Sequence, residues 1–152
     1  MGFKGYAQQY GVYYDETFSP IARMDTLRFI LAIATQNQWH AYQMEMKSTF
    51  LNGILEEEVH VDQPPGYTIK IHEHKVFMLK NAFYSLKQDP RDWYNRIDSY
   101  FINNWLNRSK NDPTLYVKTG QQGKILIVFL YVDDMIYTSN LMLEESRTVM
   151  KK

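Results

Sequence analysis

Two adjacent carboxylates, Asp133 and Asp134, directly follow an apolar run that extends from Ile125 to Val132. The run is rich in β-branched and aromatic residues and is shorter than the roughly 20 residues that a bilayer requires, so it predicts a strand buried on both faces. At the tip of a strand–turn–strand both carboxylates can approach one point, where their repulsion favours a divalent cation such as Mg²⁺. The alternative is a solvated hairpin turn, because Asp is a common turn residue.

A third candidate carboxylate, Glu45, lies in the segment Ala41–Met46, where apolar and polar residues alternate. The apolar side chains would share one face of a strand, and Glu45 would project from the opposite, polar face. A solvated strand carboxylate is the simpler interpretation of this residue. Only a partner supplied by another part of the fold would give Glu45 a chemical role.

Two helices are expected alongside these strands. The first is predicted over Met24–Trp39, with Asp25 as its N-cap and a buried face at three- and four-residue spacing, formed by Leu27, Ile30, Leu31 and Ala34. The second is predicted to begin at Asp89-Pro90, because an N-cap residue followed by proline favours a helix start. Its packed side is expected to contain Trp93, Ile97, Tyr100, Phe101 and Asn104.

The remaining pattern consists of short strands and turns. Leu115–Lys118 and Lys124–Val132 flank a segment with two glycines and predict a β-hairpin. Short strands are also expected at Val59–Asp62 and Lys75–Leu79. The acidic run at positions 56–58 is expected at a solvent-facing edge.

The composition is that of an ordinary globular chain of 152 residues, a length typical of one domain. Lys and Arg together number 17, as do Asp and Glu, so the net charge gives no support for a free-standing duplex-binding protein, which is usually basic. Cysteine is absent, which excludes disulfides and thiolate metal sites. No signal peptide or transmembrane segment is recognised, so an intracellular location is expected, with the compartment left open.

Four stretches, taken together, resemble the copia-type retrotransposon reverse transcriptases. They are YAQQYGVYYDETFSPIARMDTLR (6–28), YQMEMKSTFLNGILEEEVHVDQPPGY (42–67), FYSLKQDPRDWYNRIDSYF (83–101) and DPTLYVKTGQQGKILIVFLYVDDMIYT (112–138). Several motifs in a fixed order make this resemblance far more specific than an acidic dipeptide alone. It covers nearly the whole chain, up to about Asn140.

The resemblance implies an α+β fold of the fingers/palm polymerase type, in which helices back an antiparallel palm sheet that carries an acidic β-hairpin. It implies RNA-directed DNA synthesis, in which a primer hydroxyl attacks the α-phosphate of a dNTP and two Mg²⁺ ions stabilise the attacking and leaving oxygens. The implied partners are an RNA or DNA template-primer and dNTP, with no membrane and with protein partners left open. The polymerase would be one part of a DNA-integration polyprotein.

The resemblance also assigns roles to individual residues. Asp133 and Asp134 match two metal-binding carboxylates of a YVDD-type motif, and Glu45 matches the third carboxylate. The substrate contacts are matched by Tyr131 near the primer end, Phe50 beside the sugar 2′ position, Gln88 in the nucleotide pocket and Lys4 at the triphosphate. Three of these have structural alternatives: a core residue for Phe50, a turn residue for Gln88 and a free surface charge for Lys4.

Departures from the family pattern bear on activity. Glu45 replaces the usual Asp, and its extra methylene displaces the carboxylate. In an active site, a misplacement of 1 Å can lower the rate about 10²-fold. Ser85 replaces a glycine, and Asp89 and Asp92 replace neutral residues and would add negative charge where a triphosphate approaches. The chain is expected to be a truncated copy, with a partial fingers/palm domain at 1–140 and a shortened tail at 141–152.

The leading hypothesis is a fragment of a retrotransposon reverse transcriptase that is inactive by itself. A non-enzymatic alternative is a degenerate remnant that at most binds metal or nucleotide weakly. A third hypothesis is another palm-type enzyme, such as a cyclase or nucleotidyltransferase, which would share the acidic hairpin without needing Phe50 or Gln88. The placement of Glu45 relative to the 133–134 turn separates an assembled site from a chance similarity.

Overall fold

The computed structural model contains two compact units. Unit 1 comprises Met1–Ser19 and Ser48–Arg96, and unit 2 comprises Pro20–Lys47 and Ile97–Lys152. The structure describes residues 8–12, 14–63, 66–67, 75–81 and 86–141. The candidate Lys4, the substituted Ser85 and the predicted tail after Leu141 lie outside these residues. Within the described ranges, no helix is long and apolar enough to cross a bilayer.

Unit 2 is built on a five-stranded antiparallel sheet. Its strands, in order across the sheet, are β1 (Ala41–Glu45), β7 (Asp134–Ser139), β6 (Ile125–Tyr131), β5 (Leu115–Thr119) and β4 (Asn107–Arg108). The middle strand is β6, and its residues 126 and 128–130 are buried. The prediction of a buried central strand is therefore confirmed, and so is the predicted β5–β6 hairpin.

One face of this sheet forms the apolar interior of unit 2. Tyr116, Val128 and Tyr137 lie opposite one another on β5, β6 and β7, and each is at most 2% exposed. The row continues to Tyr42 on β1, whose ring stacks on that of Tyr137 with a centroid distance of 5.2 Å. The alternate residues on the other face are also largely apolar in the central strands: Phe129 lies between Leu115 and Ile136 and is fully buried.

Helix α1 (Met24–Gln36) begins where the sequence predicts and ends three residues earlier. It ends there because Gln38 adopts a left-handed conformation, with φ 56°, that a right-handed helix cannot contain. The prediction of Asp25 as N-cap is wrong. Arg23 occupies that position without a side-chain cap bond, and Asp25 instead pairs with Arg28 at 3.2 Å in the exposed first turn.

The buried face of α1 is narrower than predicted. Ile30 and Ala34 are buried, as their four-residue spacing indicates, whereas Leu31 is 40% exposed and its predicted burial is wrong. The helix lies against β7, and the hydroxyl of Thr26 in its first turn donates a hydrogen bond to Asp112. The hydrophobic period thus located the contact but overestimated its width.

Helix α2 (Asp89–Asn103) starts at the predicted Asp-Pro pair. Its first part belongs to unit 1, where Trp93 is buried, and its second part belongs to unit 2. In unit 2 the Phe101 ring packs on the Tyr116 ring at a centroid distance of 4.8 Å, and the Tyr116 hydroxyl donates to Asp98 at 2.7 Å. The predicted packing of this helix on a sheet is confirmed for its second part.

Unit 1 contains a two-stranded antiparallel sheet formed by β2 (Ile54–Val61) and β3 (Phe77–Asn81), with an irregular register between Ile54 and Val59. Both correspond to predicted strands, although β2 begins five residues earlier and β3 lies two residues later than expected. A short 3₁₀ helix at Thr49–Asn52 precedes β2. The regular structure that the sequence predicts for this unit is therefore present but displaced.

The acidic run at positions 56–58 is not a uniformly solvent-facing edge. Glu58 is exposed, but the Glu57 side chain is only 19% exposed and lies 2.8 Å from Nη2 of Arg91 on α2. The prediction is wrong for Glu57, because a cationic partner from the helix offsets the cost of burying its carboxylate.

Candidate active site

Three candidate residues form a row across one end of the sheet in unit 2. Tyr131 on β6 lies directly opposite Asp134 on β7, and Asp134 lies directly opposite Glu45 on β1. Residues directly opposite each other on antiparallel strands project from the same face, with Cβ atoms about 4.5–5.5 Å apart. The fold therefore gives Glu45 the partner that the sequence alone could not identify.

The fourth candidate, Asp133, lies in the two-residue turn between β6 and β7. The backbone amide of Met46 donates to the Asp133 carbonyl at 2.9 Å, which ties the end of β1 to this turn. The turn also holds Val132 at φ 55°, a left-handed conformation that is costly for a β-branched residue. Two-residue hairpin turns usually place Gly, Asn or Asp at such positions, so the backbone beside the carboxylates is strained.

The carboxylates at this end of the sheet are accessible. Glu45 and Asp133 are exposed, and Asp134 is partly exposed. Oδ1 of Asp134 accepts a hydrogen bond from the Gln43 side-chain amide at 3.1 Å. Among the described residues, no Lys, Arg or His forms an ion pair with these three carboxylates, so no cation in that part of the chain offsets their mutual repulsion.

The chemistry of the donors suits a hard divalent cation, because all three are carboxylates at one end of the sheet. Within the part of the chain that the structure describes, however, no group of three Asp, Glu, His or Cys side chains is arranged to hold a metal ion. The backbone thus provides the register, while the three carboxylates do not converge on one point. Exposed side chains such as Glu45 and Asp133 change rotamer on a fast timescale.

The two other described candidates lie in unit 1. Phe50 is partly exposed within the 3₁₀ helix. Gln88 is fully buried, and its Oε1 accepts a hydrogen bond from Nε2 of Gln8 at 3.0 Å. Gln88 is therefore held inside unit 1 by a side-chain pair rather than presented at its surface. Lys4, the remaining candidate, is outside the described residues.

Two acidic residues near Gln88 do not add negative charge to the surface of unit 1. Asp89 is 2% exposed, and its Oδ2 accepts a hydrogen bond from the Leu86 amide at 3.0 Å. Asp92 is 3% exposed and accepts hydrogen bonds from Nε and Nη2 of Arg91 at 3.0 and 2.9 Å. Asp89 and Asp92 therefore do not form the exposed acidic segment that the sequence suggests, because both face inward.

Arg91 holds a buried charge cluster together with Glu57 and Asp92. Burial lowers the pKa of the Arg91 guanidinium, but hydrogen bonds to Asp92 and Glu57 and their negative charges outweigh that effect, so the pKa is raised. Sequence analysis did not identify Arg91, Gln8 or Gln43 as partners. Arg91 also binds its neighbour Asp92, but the bonds from these side chains to Glu57, Gln88 and Asp134 span between 34 and 91 positions, and such pairing leaves no local pattern.

Comparison with known protein families assigns the chain. Residues 1–152 match the family described as reverse transcriptase (RNA-dependent DNA polymerase). The chain belongs to the reverse transcriptase family. The row formed by Tyr131, Asp134 and Glu45 accordingly lies in a reverse transcriptase domain.

Curated relatives place this reverse transcriptase domain among retrotransposon proteins and confirm the copia-type resemblance. It is 38% identical over 133 residues to a retrovirus-related Pol polyprotein from transposon TNT 1-94 of Nicotiana tabacum, covering 88% of the chain and 10% of that protein. It is 38% identical over 138 residues to the corresponding polyprotein from transposon RE1 of Arabidopsis thaliana, covering 90% of the chain and 9% of that protein. The domain thus spans about a tenth of the length of these relatives. No solved structure matches it.

Proposed function

We propose that this reverse transcriptase domain carries the nucleotidyl-transfer centre of an RNA-directed DNA polymerase. In that reaction a primer 3′-hydroxyl attacks the α-phosphate of a dNTP, and pyrophosphate leaves. The observation that carries the proposal is the strand register, which aligns Glu45 with Asp134 beside the turn that contains Asp133. If Asp133 and Asp134 formed only a solvent-exposed hairpin turn, there would be no reason for a third carboxylate, Glu45, to lie opposite Asp134.

Asp133, Asp134 and Glu45 are the residues that would hold Mg²⁺, through their carboxylate oxygens. When bound, two such ions stabilise the attacking and leaving oxygens of an in-line displacement. The accessibility of these side chains leaves them free to rotate toward a common point, while the turn fixes the backbone from which Asp133 projects. Tyr131, in the same row, would lie against the primer end.

The nucleotide contacts belong to unit 1 in this proposal. Phe50 would restrict the space beside the sugar 2′ position, Lys4 would contact the triphosphate, and Gln88 would line the pocket after its buried neighbours move. In polymerase terms, unit 2 corresponds to the palm and unit 1 to the fingers of a domain over residues 1–140. The proposed partners are dNTP and an RNA or DNA template-primer.

The metal centre is tested by Mn²⁺, a paramagnetic substitute for Mg²⁺, in NMR spectra of the 152-residue chain. We expect Mn²⁺ to broaden amide signals of the β6–β7 turn and of the end of β1, and Asp133→Asn with Asp134→Asn to abolish this broadening. Equal broadening in the doubly substituted chain, or none in the unsubstituted chain, would contradict the proposed centre. Glu58→Gln, at an exposed carboxylate of β2, is the control that should change nothing.

We propose further that the 152-residue chain does not extend a primer by itself. Glu45 carries one methylene more than the family's Asp, and a 1 Å misplacement in an active site can cost about 10²-fold in rate. The measurement is primer extension on an RNA template, with the Asp133→Ala, Asp134→Ala chain as the background. Extension above that background would overturn this statement while leaving the metal centre intact.

A second candidate function is a non-enzymatic module that binds metal or nucleotide weakly. The observation in its favour is that the three carboxylates do not converge in the described structure. Calorimetric titration with Mg²⁺ and dNTP, with and without template-primer, separates this candidate from an inert remnant. Heat that disappears in the Asp133→Asn, Asp134→Asn chain supports binding, and no heat under any condition supports the inert remnant.

A further inference from the structure

A polar side chain joins two distant segments of unit 1. Oε1 of Gln8 accepts a hydrogen bond from the Lys87 backbone amide at 2.8 Å, and Nε2 of Gln8 donates to Gln88 at 3.0 Å. Gln8 is 5% exposed, so both ends of its amide are used inside the unit. Because a buried amide without partners is costly, this pair of bonds fixes Gln8 against the segment that precedes α2.

The same contact holds the Lys87 ammonium in one place. Nζ donates to the backbone carbonyl of Gln8 at 3.1 Å and to the Tyr14 hydroxyl at 3.3 Å, and it lies 5.2 Å from the centre of the Tyr14 ring. Among the described residues no carboxylate forms an ion pair with it. An ammonium has three donors, and the bonds to Gln8 and Tyr14 use two of them, so among the described residues this ordered positive charge keeps one donor for a ligand.

The neighbouring acids do not cancel this charge at the surface. Asp89 and Asp92, the nearest carboxylates along the chain after Lys87, are both buried and hydrogen-bonded inside unit 1. Lys87 itself is exposed. Lys87 therefore presents its cation at the surface while the two carboxylates that follow it in the chain, Asp89 and Asp92, lie inside the unit.

An exposed aromatic ring lies on the same structure. Tyr10 is 74% exposed, and its ring meets the Tyr14 ring edge-on at a centroid distance of 5.9 Å. The turn that presents it is closed by a hydrogen bond from the Gly11 amide to the Tyr14 carbonyl at 2.9 Å, with Gly11 at φ 75°. Tyr14 thus contacts both an exposed ring and an ordered ammonium.

We propose that Tyr10 and Lys87 form a contact for single-stranded nucleic acid, in which a base stacks on the Tyr10 ring and a backbone phosphate binds the Lys87 ammonium. Aromatic rings beside a cation are the combination that binds single strands without sequence preference, because every base has a flat face and every nucleotide a phosphate. Gln8 and Tyr14 are positioning residues that hold the ring and the ammonium in place. The inference rests on the proposed function, in which the strand is the template.

Phosphate binding by Lys87 is tested by fluorescence anisotropy of labelled twelve-nucleotide RNA and DNA single strands without divalent cation. For each chain, log K is measured against log salt concentration. Loss of one phosphate contact lowers the magnitude of this slope by about 0.7 for a single strand. We expect that change for Lys87→Gln and none for Lys80→Gln, at an exposed lysine of β3 in the same unit.

Base stacking on Tyr10 is tested in the same assay. Loss of one base–aromatic stack weakens binding roughly 5- to 150-fold, and we expect this for Tyr10→Ala but not for Tyr67→Ala, at a tyrosine of unit 1 that is 80% exposed. Tyr10→Trp should restore the affinity. As a measurement that needs no variant, the Lys87 Cε–Hε NMR signal of the unsubstituted chain should shift when the unlabelled strand is added.

The outcomes separate this inference from the proposed function. No strand binding by the unsubstituted chain, or equal losses for Lys87→Gln and Lys80→Gln, overturns the inference. It is also overturned if Lys87→Gln weakens binding of a dNTP alone and leaves strand binding unchanged. The Asp133→Asn, Asp134→Asn chain should bind the strand as well as the unsubstituted chain, so loss of Mn²⁺ binding and loss of strand binding report on different proposals.

Discussion

The two units of this reverse transcriptase domain fill their interiors in different ways. In unit 2, apolar side chains of the central strands, such as Val128 and Tyr137, occupy one face of a five-stranded sheet. In unit 1 the sheet has two strands with an irregular register, and much of the described interior is polar: Arg91 with its two carboxylates, and Gln8 with Gln88.

This difference affects how each unit tolerates substitution. Apolar burial is non-directional, so a sheet core accepts side chains of similar volume at moderate cost. A buried charge cluster is stable only while each member has its partner, because removal of one partner leaves an uncompensated charge in the interior. Unit 1 should therefore be the more sensitive to single polar substitutions and unit 2 the more sensitive to loss of volume.

The largest effect is expected from Arg91→Met. Removing the guanidinium leaves the Glu57 and Asp92 carboxylates buried without their cation, and breaking a buried pair in this way costs about 3–5 kcal/mol. Native-state hydrogen exchange in unit 1 would measure the loss. Adding Glu57→Gln and Asp92→Asn to the same chain should recover most of it, and Arg96→Met, at an exposed arginine of the same helix, should cost little.

A smaller loss is expected from Val128→Ala in the apolar core of unit 2. Val128 is fully buried in the centre of the sheet, so removal of two methyl groups should cost about 2 kcal/mol through lost transfer energy and a small cavity. Hydrogen exchange of β5–β7 amides would report it. If Val76→Ala, at a valine that is 48% exposed, costs as much, burial in the sheet is not the cause.

Asp112 provides a polar exception inside unit 2, and its loss should cost about 1–2 kcal/mol at neutral pH. Burial raises the pKa of this carboxyl, but hydrogen bonds from Thr114 and Thr26 and the charge of Arg23 outweigh that effect and hold the pKa below its ordinary value of 3.8. The charged form therefore stabilises the folded state fully above that value, and the contribution disappears as pH falls through the lowered pKa.

The corresponding experiment compares urea unfolding of the unsubstituted chain and Asp112→Asn between neutral pH and pH values below 3.8. The difference between the two chains should be largest at neutral pH and should shrink on acidification. Asp25→Asn is the control, since Asp25 forms only an exposed pair with Arg28. A difference that grows in acid would contradict the assignment.

The smallest effect is expected at the row of carboxylates. Without divalent cation, Asp134→Asn should stabilise unit 2 by roughly 0.2–1 kcal/mol, because it removes a like charge directly opposite Glu45. With Mg²⁺ the unsubstituted chain should become the more stable of the two, because only that chain gains stability from a bound ion. Thermal unfolding with and without Mg²⁺ measures both, and a Mg²⁺ response that survives the substitution would show that Asp134 is not a ligand.

The sequence by itself determined the elements that local periodicity encodes. The alternation at Ala41–Met46, the apolar run before Asp133 and the Asp-Pro helix start were each found in the structure at or near the predicted positions. The family motifs, which are also local in sequence, identified the candidate carboxylates Glu45, Asp133 and Asp134. These features depend on neighbours a few positions apart, where side-chain period and turn chemistry act directly.

Only the tertiary structure decided which residues meet. It placed Glu45 opposite Asp134, turned Asp89 and Asp92 inward, and brought Gln8 against Lys87. Each of these outcomes depends on strand pairing or burial between segments far apart in the chain. The type of a residue does not indicate which distant residue it will contact. The physical reason is that periodicity fixes which way a side chain points along its own element, while charge compensation and register are settled by what packs against that element.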